Sequence, residues 1–241
     1  MALRSGPASP GRFDIQKAGE PALMKDSDIH TVIRILRRQS TRWRAPVVTE
    51  VSQRRKAPFA ILVSTLLSLR TQDQTTRGAA TRLLQRANTP QELLALSEKE
   101  IRELIYPVGF YRRKAALLRE VAEELLTNHE GKVPSDLEAL LRLRGVGRKT
   151  ANLVLTLGFG KPGICVDTHV HRISNRLGYV RTRTPDQTEF ALRAKLPRRY
   201  WISYNDLLVA HGQNICKPVS PLCSQCGLEP YCGKVGVTRS R

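Results

Sequence analysis

No stretch of the 241-residue sequence approaches the roughly eighteen consecutive apolar residues that a membrane-spanning helix requires. The N-terminal segment MALRSGPASPGR also lacks the apolar core of a secretory signal peptide. We therefore expect an intracellular, cytoplasmic protein without a membrane partner. Residues 1–24 are rich in glycine, proline, alanine and serine and show no periodicity, which predicts a disordered tail.

Acidic residues are also scarce. The sequence has 21 of them against 40 lysines and arginines, which gives a formal net charge of +19. Such an excess attracts polyanions, and it favours nucleic acid as a partner and association with the nucleoid. The alternative is a soluble protein whose basic face is simply solvated.

The alternation of apolar and polar residues that marks a half-buried strand is not sustained anywhere in the sequence. Apolar residues instead recur at helical spacing, first at Ile29, Val32, Ile33 and Leu36. The almost wholly apolar segment 58–67 indicates a buried central helix. Capping sequences that start helices occur at Thr89, Ser97, Ser135 and Thr184. The predicted fold class is all-α.

A short turn with two glycines separates two helical segments in the middle of the chain. Gly145, Val146 and Gly147 form this turn, and Arg148 opens the second helix, followed by Thr150. Unpaired N–H groups at a helix start can hold a phosphate, and backbone groups do so without reading bases. The alternative is an ordinary join between two helices, because glycine turns also serve that purpose.

Two polar residues close to this turn are candidates for chemistry. Lys149 is either a phosphate contact or a nucleophile, since a helix N-terminus and partial burial both disfavour its ammonium form. A neutral amine can form a Schiff base with C1′ of a deoxyribose whose base is leaving. Asp167 suits a helix N-cap, and its carboxylate can also stabilise oxocarbenium-like charge. His169 is expected to be structural or to contact phosphate.

Four of the five cysteines lie near the C-terminus. Cys216, Cys223, Cys226 and Cys232 have the spacing C-x6-C-x2-C-x5-C. Four-cysteine zinc sites usually consist of two close pairs, and only one such pair is present here. Four thiolates also suit a [4Fe-4S] cluster, so the spacing leaves both metals open. Cys165 lies far away in sequence and is expected to be a buried thiol.

The hairpin GVGRKTA at 145–151, the motif VDTH at 166–169 and the cysteine loop together resemble the endonuclease III family of helix-hairpin-helix DNA glycosylases. The resemblance implies a two-domain, all-α fold with a six-helix barrel and an iron-sulfur cluster domain. The barrel would span 51–161. The cluster domain would comprise 25–50 and 162–232, with a C-terminal tail over 233–241.

The resemblance also implies an activity. Lys149 matches the family's Schiff-base lysine, Asp167 its essential aspartate, and the four C-terminal cysteines its ligands for one [4Fe-4S] cluster per chain. The chain would then be a bifunctional DNA glycosylase and AP lyase. It would act as a monomer on double-stranded DNA, removing oxidised pyrimidines and cleaving abasic sites by β-elimination. The alternatives are a monofunctional mismatch glycosylase and a non-catalytic DNA-binding module.

The sequence departs from the family pattern at several of the expected DNA contacts. Arg144 stands where the family usually has proline, and Arg70 where it commonly has the glutamine that fills the gap left by a flipped base. Phe110 replaces a leucine-like wedge, and only Lys217 is basic between the first two cluster cysteines. The residues that we expect to contact DNA are Arg70, Phe110, Gly145, Val146, Gly147, Arg148, Thr150 and His169.

Overall fold

The computed structural model describes residues 24–43, 45–54 and 57–241. These residues form twelve α-helices and no β-strand, which confirms the all-α prediction. The helices are α1 (Ile29–Ser40), α2 (Val47–Arg54), α3 (Pro58–Ser68), α4 (Asp73–Arg86), α5 (Pro90–Ala95), α6 (Glu98–Ile105), α7 (Tyr111–His129), α8 (Leu137–Arg142), α9 (Arg148–Leu153), α10 (Thr168–Arg176), α11 (Pro185–Lys195) and α12 (Trp201–Asn214). None of the helices described is long and apolar enough to cross a membrane.

The central helix α3 is buried on all sides. Every residue over 59–67 is buried, and the helix packs against α2, α4, α7 and α9. Its two buried polar residues are Ser64 and Thr65, and the Thr65 hydroxyl donates to the carbonyl of Ile61 at 2.7 Å. A helix that is apolar on all sides is expected to be buried, and the sequence pattern predicted a buried helix here.

The chain builds two hydrophobic cores. The first is formed by α2 to α9, and the second by α1 and α10 to α12. Val47 and Val48 belong to the first core, although the sequence-based boundary assigned 25–50 to the cluster domain. Along 164–166 the side chains alternate, since Cys165 packs in the first core and its two neighbours in the second. This segment therefore joins the two cores just before α10.

Residues near both ends of the described chain pack against the rest of the protein. Met24 is only 4% exposed and packs in the second core, whereas the rest of the predicted tail lies outside the described residues. The C-terminal segment 233–241 packs on the cysteine loop. There, Arg241 N–H donates to the Pro221 carbonyl and Ser224 N–H donates to the Arg241 carbonyl, whereas Val235 N–H donates to the carbonyl of Arg176 at the end of α10.

The helix caps follow the sequence signals with one exception. The side chains of Thr89, Ser97 and Thr184 accept hydrogen bonds from the first turns of α5, α6 and α11, as predicted. At α8, however, the cap is Asp136 rather than Ser135, and its carboxylate accepts from Ala139 N–H at 2.9 Å. The Ser135 hydroxyl and carbonyl instead accept hydrogen bonds from a lysine, Lys161.

Candidate active site

The glycine turn joins α8 to α9 as a tight hairpin. Gly145 has a φ of 73°, a conformation that favours glycine, and a Cβ there would lie 2.7 Å from a Leu117 methyl group, so the leucine would have to move. Val146 is buried in the first core and anchors the turn. Gly147 is the N-cap of α9, and nothing lies within 4 Å of where its Cβ would be. The backbone at the start of α9 is thus open to a ligand.

Arg144 is fastened to α7, although it lacks the stiffness of the usual proline. Its N–H donates to the Glu124 carboxylate at 3.2 Å, and its guanidinium pairs with Glu120 at 3.1 Å. Two contacts to a neighbouring helix therefore orient the approach to the hairpin.

An open cleft of about 660 Å³ lies between the starts of α9 and α10 and the segment that follows α3. Lys149 enters it from the first turn of α9, and Asp167 enters it from the N-cap of α10. The structure thus brings together two residues whose helices belong to different cores. Arg70, Arg148 and His169 also line this cleft.

Asp167 caps α10 with one oxygen. Its Oδ1 accepts from the N–H groups of His169 and Val170, each at 2.9 Å. Within the described residues, the other oxygen, Oδ2, makes no hydrogen bond and is available to a substrate. The predicted N-cap is therefore present, and it orients the carboxylate at the mouth of the cleft without using both of its oxygens.

His169 is held in place by the protein. Its ring packs on Gly212, where a Cβ would lie 2.3 Å from Nδ1, and Arg172 Nη2 lies 3.1 Å from the same nitrogen. Burial lowers the pKa of His169 below its usual value. The ring is therefore neutral near pH 7, and its Nδ1 is occupied within the protein.

Two of the expected DNA contacts have side chains that cannot reach a ligand. Thr150 is 2% exposed and Val146 is 6% exposed. Only their backbone groups can face a phosphate, because both side chains fill the core beneath the hairpin. The predicted DNA contacts at Val146 and Thr150 would therefore be made by the backbone, and they stay a prediction.

Arg70 and Phe110 lie side by side, although 40 positions separate them in the sequence. The guanidinium carbon of Arg70 is 5.9 Å from the centre of the Phe110 ring, and that ring is 56% exposed. Both have left-handed backbones, with φ of 53° and 60°, which is unusual outside glycine. Gly109 lets the two segments meet, since a Cβ there would lie 2.6 Å from the Arg70 carbonyl oxygen.

Arg148 has a partner that sequence reasoning missed. Its guanidinium donates to both oxygens of Glu189, at 2.9 and 2.7 Å, and Arg193 donates to the same carboxylate at 2.9 Å. Glu189 lies on α11 and its side chain is only 3% exposed. Burial alone would raise the pKa of Glu189, but the hydrogen bonds from both arginines hold it below its usual value. The four-residue spacing of Glu189 and Arg193 was the only sequence signal for this triad.

The four C-terminal cysteines line one small, mostly apolar cavity of about 30 Å³. Burial raises the pKa of Cys226 to about 11, and Arg176 donates to the Cys216 sulfur at 3.4 Å. Among the residues described, no group of three or more His, Cys, Asp or Glu side chains is arranged to hold a metal ion. The donor set of four thiols around a mostly apolar cavity nevertheless has the chemistry that an iron-sulfur cluster requires. Cys165 is buried, as expected, and burial raises the pKa of its thiol.

Comparison with known proteins identifies the family. Residues 63–198 match the HhH-GPD superfamily of base excision DNA repair proteins. The chain is 50% identical to endonuclease III of Thermotoga maritima over 73% of its length and 82% of that protein. It is 44% identical to the chloroplastic endonuclease III homolog 1 of Arabidopsis thaliana, of which it spans only 48%.

A solved structure supports the same family. A trapped covalent intermediate of endonuclease III with DNA matches with a TM-score of 0.78 at 31% identity, covering 88% of this chain and 98% of that one. The hairpin, the cleft and the cysteine loop therefore belong to a known architecture. The chain is a member of the endonuclease III family within the HhH-GPD superfamily of base excision DNA repair proteins.

Proposed function

We propose that this chain removes oxidised pyrimidines from double-stranded DNA and then cleaves the strand by β-elimination through a Schiff base on Lys149. The broader class, a DNA glycosylase with AP lyase activity in base excision repair, follows from the family. One observation carries the proposal: Lys149 and Asp167, held at the starts of two helices from different cores, open into one cleft.

The proposed reaction needs an amine and a carboxylate near C1′ of the same deoxyribose. The Lys149 amine attacks C1′ of the deoxyribose, the bond from C1′ to the base breaks, and the base leaves with the electron pair. Asp167 Oδ2 stabilises the positive charge that develops on the sugar. The attached nitrogen gives up a proton, and its lone pair opens the sugar ring by breaking the C1′–O4′ bond while O4′ takes up a proton, which leaves a Schiff base at C1′. Loss of the proton at C2′ then expels the phosphate on C3′, which leaves with the electron pair of the C3′–O bond. The related structure is described as a trapped covalent DNA intermediate, which supports a covalent step.

DNA would be bound by its phosphates. The +19 net charge draws the duplex to the protein, and the backbone at Gly145 and Gly147 holds one phosphate. The target nucleotide must leave the stack to reach Lys149. Arg70 and Phe110, which project together beside the cleft, would fill the space that it vacates.

We further propose that Cys216, Cys223, Cys226 and Cys232 hold one [4Fe-4S] cluster. When bound, the cluster would cross-link the C-terminal loop to the second core. Segment 233–241 already packs on this loop through backbone hydrogen bonds from Arg241 N–H to Pro221 and from Ser224 N–H to Arg241. No step of the proposed reaction uses the cluster.

Borohydride trapping tests the proposed reaction. Incubating the protein with abasic-site or thymine-glycol duplex in borohydride should give a covalent adduct, and Lys149→Ala should abolish it. Lys132→Ala is the matched control, because that lysine is exposed and paired only with Glu130. An undiminished adduct in Lys149→Ala would overturn the assignment. Base release without an adduct in the wild type would instead indicate a monofunctional glycosylase.

A further inference from the structure

A buried lysine lies beneath the loop that carries Arg70. Lys114, in the first turn of α7, is 7% exposed. Its Nζ donates to the carbonyls of Leu67 at 2.7 Å and Leu69 at 2.6 Å, and to Thr71 Oγ1 at 3.2 Å. Among the described residues it forms no ion pair. Burying a cation without a counter-ion is costly, so this residue requires an explanation beyond packing.

The three acceptors account for the whole donor capacity of the ammonium group. Lysine has three N–H donors, and each finds one oxygen here. The carbonyls lie at and just beyond the end of α3, where a helix leaves carbonyls unpaired and presents the negative end of its dipole. A methylene chain of the same length would leave all three oxygens without this donor.

The same contact reaches a second loop through Thr71. Its Oγ1 accepts from the Gly109 N–H at 3.2 Å as well as from Lys114. Gly109 immediately precedes Phe110, and Thr71 immediately follows Arg70. One hydrogen-bond network therefore holds the neighbours of both exposed residues.

Both exposed residues need such support. Left-handed backbone conformations of non-glycine residues are strained, and they persist only where the surroundings impose them. Arg70 and Phe110 have such conformations at adjacent loops, with φ of 53° and 60°. Without the network, each loop is free to relax toward an ordinary conformation and to withdraw its side chain.

We propose that Lys114 and Thr71 are positioning residues that hold Arg70 and Phe110 together as one preformed wedge for opening the DNA stack. This rests on the proposed function, since a wedge is useful only to an enzyme that extracts a nucleotide from a duplex. Neither residue touches the sugar. Their effect is on the free energy of extruding the nucleotide, and not on attack at C1′.

The experiment compares two substrates for two variants. Lys114→Met keeps most of the side-chain volume without the donors, and Thr71→Val removes the bridging oxygen. We expect the rate of base release from a thymine-glycol duplex to fall at least tenfold relative to the rate of abasic-site cleavage in single strands, which have no stack to open. Lys132→Met, on the exposed lysine, should leave this ratio at the wild-type value.

Fluorescence supplies a second measurement that a purely structural role would not move. A 2-aminopurine placed opposite a stable abasic analogue brightens when a wedge displaces it from the stack. We expect this signal to fall severalfold in both variants at saturating protein. Leaving the position opposite the lesion without a base should restore much of the lost rate, because there is then no orphaned base to accommodate.

The outcomes separate the two proposals. If the wild type gives no Lys149-dependent adduct, the proposed function fails whatever the variants do. If the adduct forms but both variants keep the wild-type rate ratio and fluorescence, the wedge inference is overturned. It is also overturned if both substrates lose rate equally. If Lys114→Met unfolds, Thr71→Val decides the question.

Discussion

Arg148 and Glu189 form an ion pair with two hydrogen bonds, of 2.9 and 2.7 Å, between the start of α9 and the middle of α11. Glu189 also accepts from Arg193, which in turn donates to Asn152 on α9 at 3.1 Å. The hairpin helix is thus held against α11 by charged side chains. The guanidinium that the sequence suggested as a phosphate contact is engaged within the protein, and its contact with DNA stays a prediction.

We expect Glu189→Gln to lower the free energy of unfolding by about 3 kcal/mol, because it leaves two partly buried guanidinium groups without a counter-ion. Glu130→Gln is the matched control. The Lys132 side chain is 79% exposed and that of Glu130 is 87% exposed, so loss of this ion pair should lower the free energy of unfolding by less than about 0.5 kcal/mol. Urea denaturation of both variants measures the difference. Equal losses would show that the triad adds nothing to stability.

Asp167 has a structural and a chemical role that two substitutions can separate. Asp167→Asn keeps a side-chain oxygen for the N–H groups of His169 and Val170, so stability should change little. Asp167→Ala loses the cap and should cost about 1 kcal/mol. Both should slow base release by roughly a hundredfold or more, because neither carries the charge. Denaturation tests the structural role and single-turnover assays test the chemical role. A fully active Asp167→Asn variant would mean that Asp167 serves only as the helix cap.

The proposed cluster predicts the metal content of the purified protein. Purified protein should be brown and contain iron and acid-labile sulfide, and Cys226→Ser should lose both and unfold at a lower temperature, since metal binding couples to folding. Cys165→Ala is the matched control, because that buried thiol belongs to the first core and should not affect iron content. Elemental analysis decides the matter, and stoichiometric zinc in the wild type would contradict the cluster.

Local patterns predicted much of the architecture. Periodicity and capping identified the central helix and the starts of α5, α6 and α11, because both depend on residues within one or two turns. The hairpin glycines and the pair of Lys149 and Asp167 were also visible as motifs. That they meet in one cleft was implied only by the family resemblance and not by any local pattern, since it depends on 164–166 passing from one core to the other.

The contacts that sequence reasoning missed are long-range. The Arg148 to Glu189 pair spans 41 positions, and the Lys114 contacts span 43 to 47. Nothing in the local sequence marks Lys114 as buried, because a lysine in the first turn of a helix is ordinarily solvated. The left-handed backbones of Arg70 and Phe110 were equally hidden, because neither is glycine.

A further carboxylate connects the two cores. Asp206 on α12 accepts a hydrogen bond from the Thr49 hydroxyl of α2 at 2.8 Å. Burial raises the pKa of Asp206 to about 6, and the charge of Asp167 adds to this effect, although the bond from Thr49 opposes it. The folded protein therefore holds a proton that the unfolded chain releases near pH 4.

The sign of the pH dependence follows from this raised value. Asp206 adds stability below about pH 4, and that contribution is lost as the pH rises through about 6, because the folded state must then bury a charge. Asp206→Asn keeps the oxygen that Thr49 contacts and removes the charge. We expect it to stabilise the protein by about 1–3 kcal/mol at pH 7.5 and by much less near pH 4.5. Thermal melts of Asp206→Asn and the wild type across this pH range measure the difference in their stability. A difference that does not change with pH would mean that Asp206 is already charged at pH 4.5.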